Sequence, residues 1–238
     1  MTNLTVAGII GIKCLVAILI GVLEGNGAVY VFNKLPAEWL TNYDEKPDPE
    51  LADPYTQRVK SHPWKYVLTM VFVVLNIKLV IDDWQFALAA TLAIWFLMEL
   101  AISDLKYRIL PDQLIALLMV CGLGFLPYHS GIKECLLGMG IGLGVMLIFA
   151  LIGKMAYKRD TLGGGDIKLF TALGFIAGPS GVVLIFIATT LLSAGHLVYL
   201  LARKKIKRTD MVPMVPYIAI ASTAYLVFFW NLAERIVW

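Results

Sequence analysis

Cysteine is scarce in this chain: Cys14, Cys121 and Cys135 are the only three in 238 residues, and no two form a CxxC pair. Their scatter excludes a disulfide framework and a thiolate zinc site, so no metal and no cofactor are expected. Charge is scarce as well. Asp, Glu, Lys and Arg make up 16% of the chain, whereas a soluble domain carries about 25%. The net charge is +3, which leaves no basic surface for nucleic acid. Met1-Thr2-Asn3 supplies no basic leader, and no A-x-A site follows the first apolar run. That run is expected to stay as a membrane span rather than be removed as a signal peptide. No internal repeat or low-complexity tract appears.

What fills the chain instead is apolar sequence, at 59% of residues, gathered into blocks with polar punctuation. A bilayer core of about 30 Å takes roughly 20 apolar residues to cross as a helix. The blocks predict an all-α, polytopic transmembrane helix bundle of about eight spans in the lipid bilayer. They fall near 4–23, 66–81, 84–103, 109–127, 132–153, 166–178, 181–201 and 212–233, the second and sixth being short.

Charge then orients the spans. With the N-terminus outside, segments 24–65, 104–108, 154–165 and 202–211 face the cytoplasm, and they hold fifteen of the twenty Lys and Arg residues. Cytoplasmic loops carry such an excess, so both termini are expected outside. Residues 37–65 form the one long polar stretch, with Glu38, Asp44, Glu45, Asp48, Glu50 and Asp53 ahead of Arg58, Lys60 and Lys65. It reads as a solvated loop, or as an acidic surface for a basic peptide. In the fifth block, Gly138, Gly140, Gly142 and Gly144 make two interleaved small-xxx-small pairs. Such pairs let helices pack closely in lipid.

Ionisable groups in or beside a span are costly and mark function. Four stand out: Lys13, Glu99, Asp104 and Asp166. Lys13 is single and reads as protein-facing or snorkelling. Asp104 ends the third span, where a carboxylate meets the unfavourable end of the helix dipole; the bland reading pairs it with Lys106 or Arg108. Pro111 and Asp112 start the next helix, and Asp112 reads as dipole compensation. Asp166 follows Gly163-Gly164-Gly165. It reads either as a helix N-cap or as an acid beside a gap, since glycines tolerate positive φ and let another backbone approach. Two carboxylates brought together in a poorly hydrated site share a proton, and one then serves as base while the other serves as acid. That is what activating water against a peptide bond needs.

These residues resemble the type IV prepilin peptidase family, membrane aspartic proteases of the GxGD kind. Gly163-Gly164-Gly165-Asp166-Ile167-Lys168-Leu169 is similar to the family's second aspartate motif, and Asp104 through Pro111-Asp112 to its first. Val212-Pro213-Met214-Val215-Pro216-Tyr217 is similar to a family segment reading proline-phenylalanine-glycine-proline. The resemblance covers about 100–230. It implies Asp104 and Asp166 as catalytic residues, Gly163 to Gly165 as the substrate-backbone approach, and a six-span peptidase domain over 84–238. The implied substrates are prepilin or pseudopilin precursors, cut after a short basic leader at the cytoplasmic (inner) membrane. Residues 1–83 form a two-span region, and Gly25 through Lys34-Leu35-Pro36 is an altered form of a family stretch. Bifunctional members follow it with paired CxxC motifs tied to N-methylation. No cysteine lies between Cys14 and Cys121, so methyltransferase activity is not expected. Two other readings stay open: an ion-coupled transporter using Glu99, Asp104 and Asp166, and a catalytically idle assembly scaffold.

Overall fold

The computed structural model describes residues 3–42, 45–53, 56–158, 162–205 and 212–230. Asp44 and the side chain of Glu50, from the acidic run, lie outside the described residues, as do Arg159, Lys207, Arg208 and Arg235 from the basic count. Every long element is helical, and no strand occurs among the described residues. The helices are α1 (Asn3–Lys34), α2 (Pro49–Ala52), α3 (Ser61–Asp82), α4 (Trp84–Tyr107), α5 (Asp112–Cys121), α6 (Ile132–Tyr157), α7 (Gly164–Ala202) and α8 (Val215–Ala224). A 3-10 run, Gly122–Tyr128, prolongs α5, and a π-helical run, Tyr225–Phe229, prolongs α8. Five helices, α1, α3, α4, α6 and α7, are long and apolar enough to cross a membrane, while α5 and α8 with their extensions are shorter apolar helices. The chain forms two compact units, Met1–Trp95 and Phe96–Trp238, with the division inside α4.

In the first unit, α1 runs on to Lys34, eleven residues past the end expected at position 23. Ending the span at 23 left Glu24 in the segment 24–65, whereas the structure holds this carboxylate inside an apolar helix, where it is costly. Here that cost is offset. Glu24 accepts hydrogen bonds from Asn76 Nδ2 on α3 and Thr91 Oγ1 on α4, both at 2.6 Å. The Trp95 indole N–H donates to the Glu24 carbonyl at 3.2 Å. Gly21, about one turn earlier, and Gly25, the next residue, lie against the backbone of Val73 and Thr69. The small residues that bring α1 and α3 together are therefore on α1.

Past α1 the polar segment folds back on the helix end. Arg58, only 8% exposed, donates to the carbonyls of Leu35, at 2.5 Å, Phe32 and Leu51. The Phe32 and Leu35 carbonyls are among those a helix end leaves without intrahelical donors. Asn33 forms a reciprocal pair with the backbone of Val59, donating through Nδ2 and accepting at Oδ1. Arg58→Ala would strip the charged donor from three carbonyls. Hydrogen bonds to charged groups contribute about 1.5–3 kcal/mol, and a loss of that order is expected in thermal unfolding of the detergent-solubilised protein.

In the second unit, α7 takes up two of the segments expected to be separate spans. Its 39 residues would extend about 58 Å if straight, far beyond a bilayer core. The helix breaks at Gly178, with φ 69° and ψ −177°, immediately before Pro179. Positive φ favours glycine, and proline has no N–H to donate to the turn before it. The carbonyls released there find side-chain partners: His129 Nε2 meets Ile176 O at 2.9 Å, and the Tyr225 hydroxyl donates to Ala177 O at 3.5 Å. Along α6, Gly138 lies against the Gly174 and Gly178 backbone and Gly142 against the Phe170 carbonyl, whereas a Cβ at Gly140 or Gly144 would meet none of the described residues outside its own turn within 4 Å. Of the two interleaved pairs, one packs the helices.

Candidate active site

Asp104 sits in the last turn of α4, ahead of Arg108, which leaves the helix in the left-handed region at φ 55°. Ser103 fixes the exit by donating to Ile109 O at 2.6 Å. The Asp104 side chain is 6% exposed, so its oxygens need donors from the protein. They receive them from the start of α8. Val215 N–H donates to Asp104 Oδ2 at 2.9 Å, and the Met214 N–H donates as well. Arg108 stands within electrostatic reach, and Asp104 takes its hydrogen bonds from the backbone rather than from Lys106 or Arg108. A helix start offers N–H groups with no intrahelical acceptor, and its dipole favours an anion. The carboxylate that is badly placed on its own helix is well placed on the start of another.

Asp166 lies in the first turn of α7, half-buried, with Gly163 as N-cap. The Gly163 N–H donates to its carboxylate, and the Asp104 and Asp166 carboxylates are close enough to interact electrostatically. The two acids thus come from the end of α4 and the start of α7, and α8 supplies the donors to the first.

The three glycines do not act through positive φ, since none of them adopts it. They act through space. Gly164 has nothing within 4 Å of where a Cβ would stand, Gly163 would meet only Asp166 Oδ2 at 3.3 Å, and Gly165 lies against Leu110. Among the described residues, the side of the loop at Gly163 and Gly164 is open, and the side at Gly165 is closed by the chain that follows Asp104.

Asp112 lies in the first turn of α5, as dipole compensation requires, and it also has a partner. Its two carboxylate oxygens accept from Lys168 Nζ at 2.7 and 2.8 Å. That pair ties the start of α5 to the start of α7, two residues beyond Asp166. Glu99 is wholly buried, and neither of its oxygens has a hydrogen-bond partner. It lies five residues before Asp104 on α4. At 3.6 residues per turn the two side chains point about 140° apart, so Glu99 does not join the pair. Lys13 is half-buried on α1.

The backbone donors of Met214 and Val215 were missed by sequence reasoning because any residue type carries an N–H. Their signal was Pro216, in the first turn of α8, where proline marks a helix start.

The chain matches the type IV leader peptidase family over residues 91–198. It is 30% identical over 142 residues to the leader peptidase HopD of Salmonella typhimurium, covering 90% of that protein and 56% of this chain. The chain belongs to the type IV leader peptidase family. The family match takes in both aspartates, the Asp112–Lys168 pair and the glycine loop. Among further members, the prepilin leader peptidase/N-methyltransferase of Xanthomonas campestris pv. campestris is 31% identical over 172 residues, covering 71% of this chain and 59% of that protein. The enzyme of the same description from Pseudomonas aeruginosa is 29% identical over 153 residues, covering 62% of this chain and 51% of its own length. The chain therefore spans little more than half the length of these bifunctional relatives. No solved structure gives a significant match.

Proposed function

We propose that this protein is an intramembrane aspartic endopeptidase that removes the basic leader from type IV prepilin-like precursors, with Asp104 and Asp166 as its catalytic pair. The observation that carries the reading is the convergence of these two carboxylates, from separate helices, beside an open glycine loop. Two acids in one poorly hydrated site hold a proton between them, so one can take a proton from water while the other gives one to the leaving amine. Gly163 and Gly164 leave room for an extended peptide backbone beside Asp166. The excess of Lys and Arg in the basic loops supports a cytoplasmic face of the inner membrane for this end of the helices, with eight crossings and both termini outside. A leader would arrive there from the cytoplasm while the apolar helix behind it stays in the bilayer.

The reading is peptidase without methylation. The names of the bifunctional relatives include N-methyltransferase, but this chain has no cysteine between Cys14 and Cys121 and so lacks the paired CxxC motifs. Co-expression with a candidate prepilin precursor tests both parts. The precursor is expected to lose the mass of its leader and to gain no methyl group. An unchanged precursor across pilin, competence and secretion substrates would favour the idle scaffold instead.

A further inference from the structure

A cavity of about 320 Å³ opens in the first unit, between the end of α1 and the beginning of α3. Asn26, Tyr30 and Lys34 line it from α1, Gln57 from the connecting segment, and Ser61 and Lys65 from α3. Its far wall is held in place. Arg58 is anchored on the carbonyls of Phe32 and Leu35, and Val59 is clasped on both sides of its peptide by Asn33. Arg58 and Val59 therefore meet the end of α1 in one fixed register.

The charged residues that line the cavity, Lys34 and Lys65, are both positive. Among the described residues, neither Lys34 nor Lys65 has a carboxylate partner. The Lys65 ammonium lies 4.8 Å from the centroid of the Tyr66 ring. Asp53, beside the rim, is engaged by the Thr56 hydroxyl at 3.1 Å. Two ammonium groups, a serine hydroxyl and carboxamides make a donor-rich site for a phosphate.

What lies beyond the lysines selects among phosphates. Tyr30, one turn before Lys34, is 67% exposed, as suits an aromatic at the membrane interface. Past Asn26 the same face of α1 continues through Leu23, Val22 and Leu19, all exposed. Asn26, Tyr30 and these three residues lie within about 100° of one another around a helix of 3.6 residues per turn. A donor-rich end thus leads directly into an apolar strip. A soluble phosphate has no use for that strip, whereas an acyl chain does.

We propose that this cavity binds an anionic phospholipid, with Lys34 and Lys65 on its phosphate and the α1 face of Leu19, Val22 and Leu23 along its chain. Basic pockets between membrane helices bind lipid headgroups in this way. The site lies in the first unit and stands independently of the peptidase reading.

Native mass spectrometry of the full chain with phosphatidylglycerol and phosphatidylcholine tests the proposal. Phosphatidylglycerol is expected to be retained preferentially. Lys34→Gln with Lys65→Gln should weaken that retention about tenfold to thirtyfold, on the scale of two lysines at a membrane surface. Lys34→Arg with Lys65→Arg should keep it, and the charge-matched Lys204→Gln with Lys205→Gln should leave it unchanged. Melting of each variant in phosphatidylcholine separates lost binding from lost folding; if the Gln pair unfolds, the Arg pair and the control still decide. Equal losses in the Gln pair and the control would overturn the proposal in favour of diffuse surface charge. Stabilisation by inorganic phosphate as large as that by phosphatidylglycerol would overturn it in favour of a soluble anion.

Discussion

Asp104→Asn and Asp166→Asn are each expected to reduce leader cleavage by at least about 10²–10⁴-fold, the range that a positioned acid or base contributes. Asn keeps the size of Asp and one acceptor oxygen. At position 104 that oxygen can still take the Val215 N–H now donated to Oδ2, so the start of α8 retains its anchor. At position 166 the Gly163 N–H likewise keeps an acceptor. Neither substitution opens a cavity, and each keeps an acceptor oxygen for the backbone donor, so expression and membrane insertion should stay close to those of the parent. What each removes is the shared proton: an amide neither takes one from water nor gives one to the leaving nitrogen. Cleavage would be followed with purified protein and a leader-bearing peptide that keeps its apolar helix. Substantial cleavage by either variant would exclude the dyad and return the site to a structural role.

Glu99 supplies the internal control. It is a buried acid on the same helix, without hydrogen-bond partners, but it points away from Asp104. The sequence alone ranked the three acids together as ionisable groups near a span. Helical geometry separates them.

Elsewhere, what was legible followed directly from side-chain chemistry. Apolar blocks became helices, and Gly178-Pro179 broke α7 where two spans were expected to meet, because each residue has a backbone constraint of its own. What was not legible rested on partners far along the chain. The end of α1 was read too early because nothing near Glu24 announces Asn76 and Thr91 as its donors. Gly163 to Gly165 were expected to tolerate positive φ and to let another backbone approach; none of them adopts positive φ, which leaves the second use. Glycine has two uses, conformational freedom and lack of bulk, and one sequence does not distinguish them. The alternating glycines of α6 posed the same ambiguity. Their spacing marks two faces, and only the position of α7 shows which face is packed.

That choice of face gives the second large effect. Gly138→Leu is expected to prevent stable folding of the second unit, whereas Gly140→Leu is not. A Cβ at position 138 would stand under 3.0 Å from the Gly174 carbonyl oxygen and from the Gly178 backbone. These neighbours are main-chain atoms within or beside a helix, and they have no rotamer by which to give way. The helices must separate, and in lipid close packing is itself what holds them together. Overpacking a core costs about 1–3 kcal/mol for small additions; Gly138→Ala should fall there, and leucine well above it. Gly142, against the Phe170 carbonyl, should behave like Gly138. A Cβ at Gly140 or Gly144 would meet no neighbouring element within 4 Å among the described residues, and replacing either with Ala should stabilise α6 by up to about 1 kcal/mol through helix propensity. Thermal unfolding of the four alanine variants in detergent would therefore sort them by alternate position. Loss of leader cleavage is expected in step with unfolding at 138 and 142, because α7 carries Asp166 on the strand of packing that Gly138 and Gly142 secure. Equal melting of all four variants would mean that α6 and α7 are not in backbone contact, and the placement of Asp166 would then need another cause.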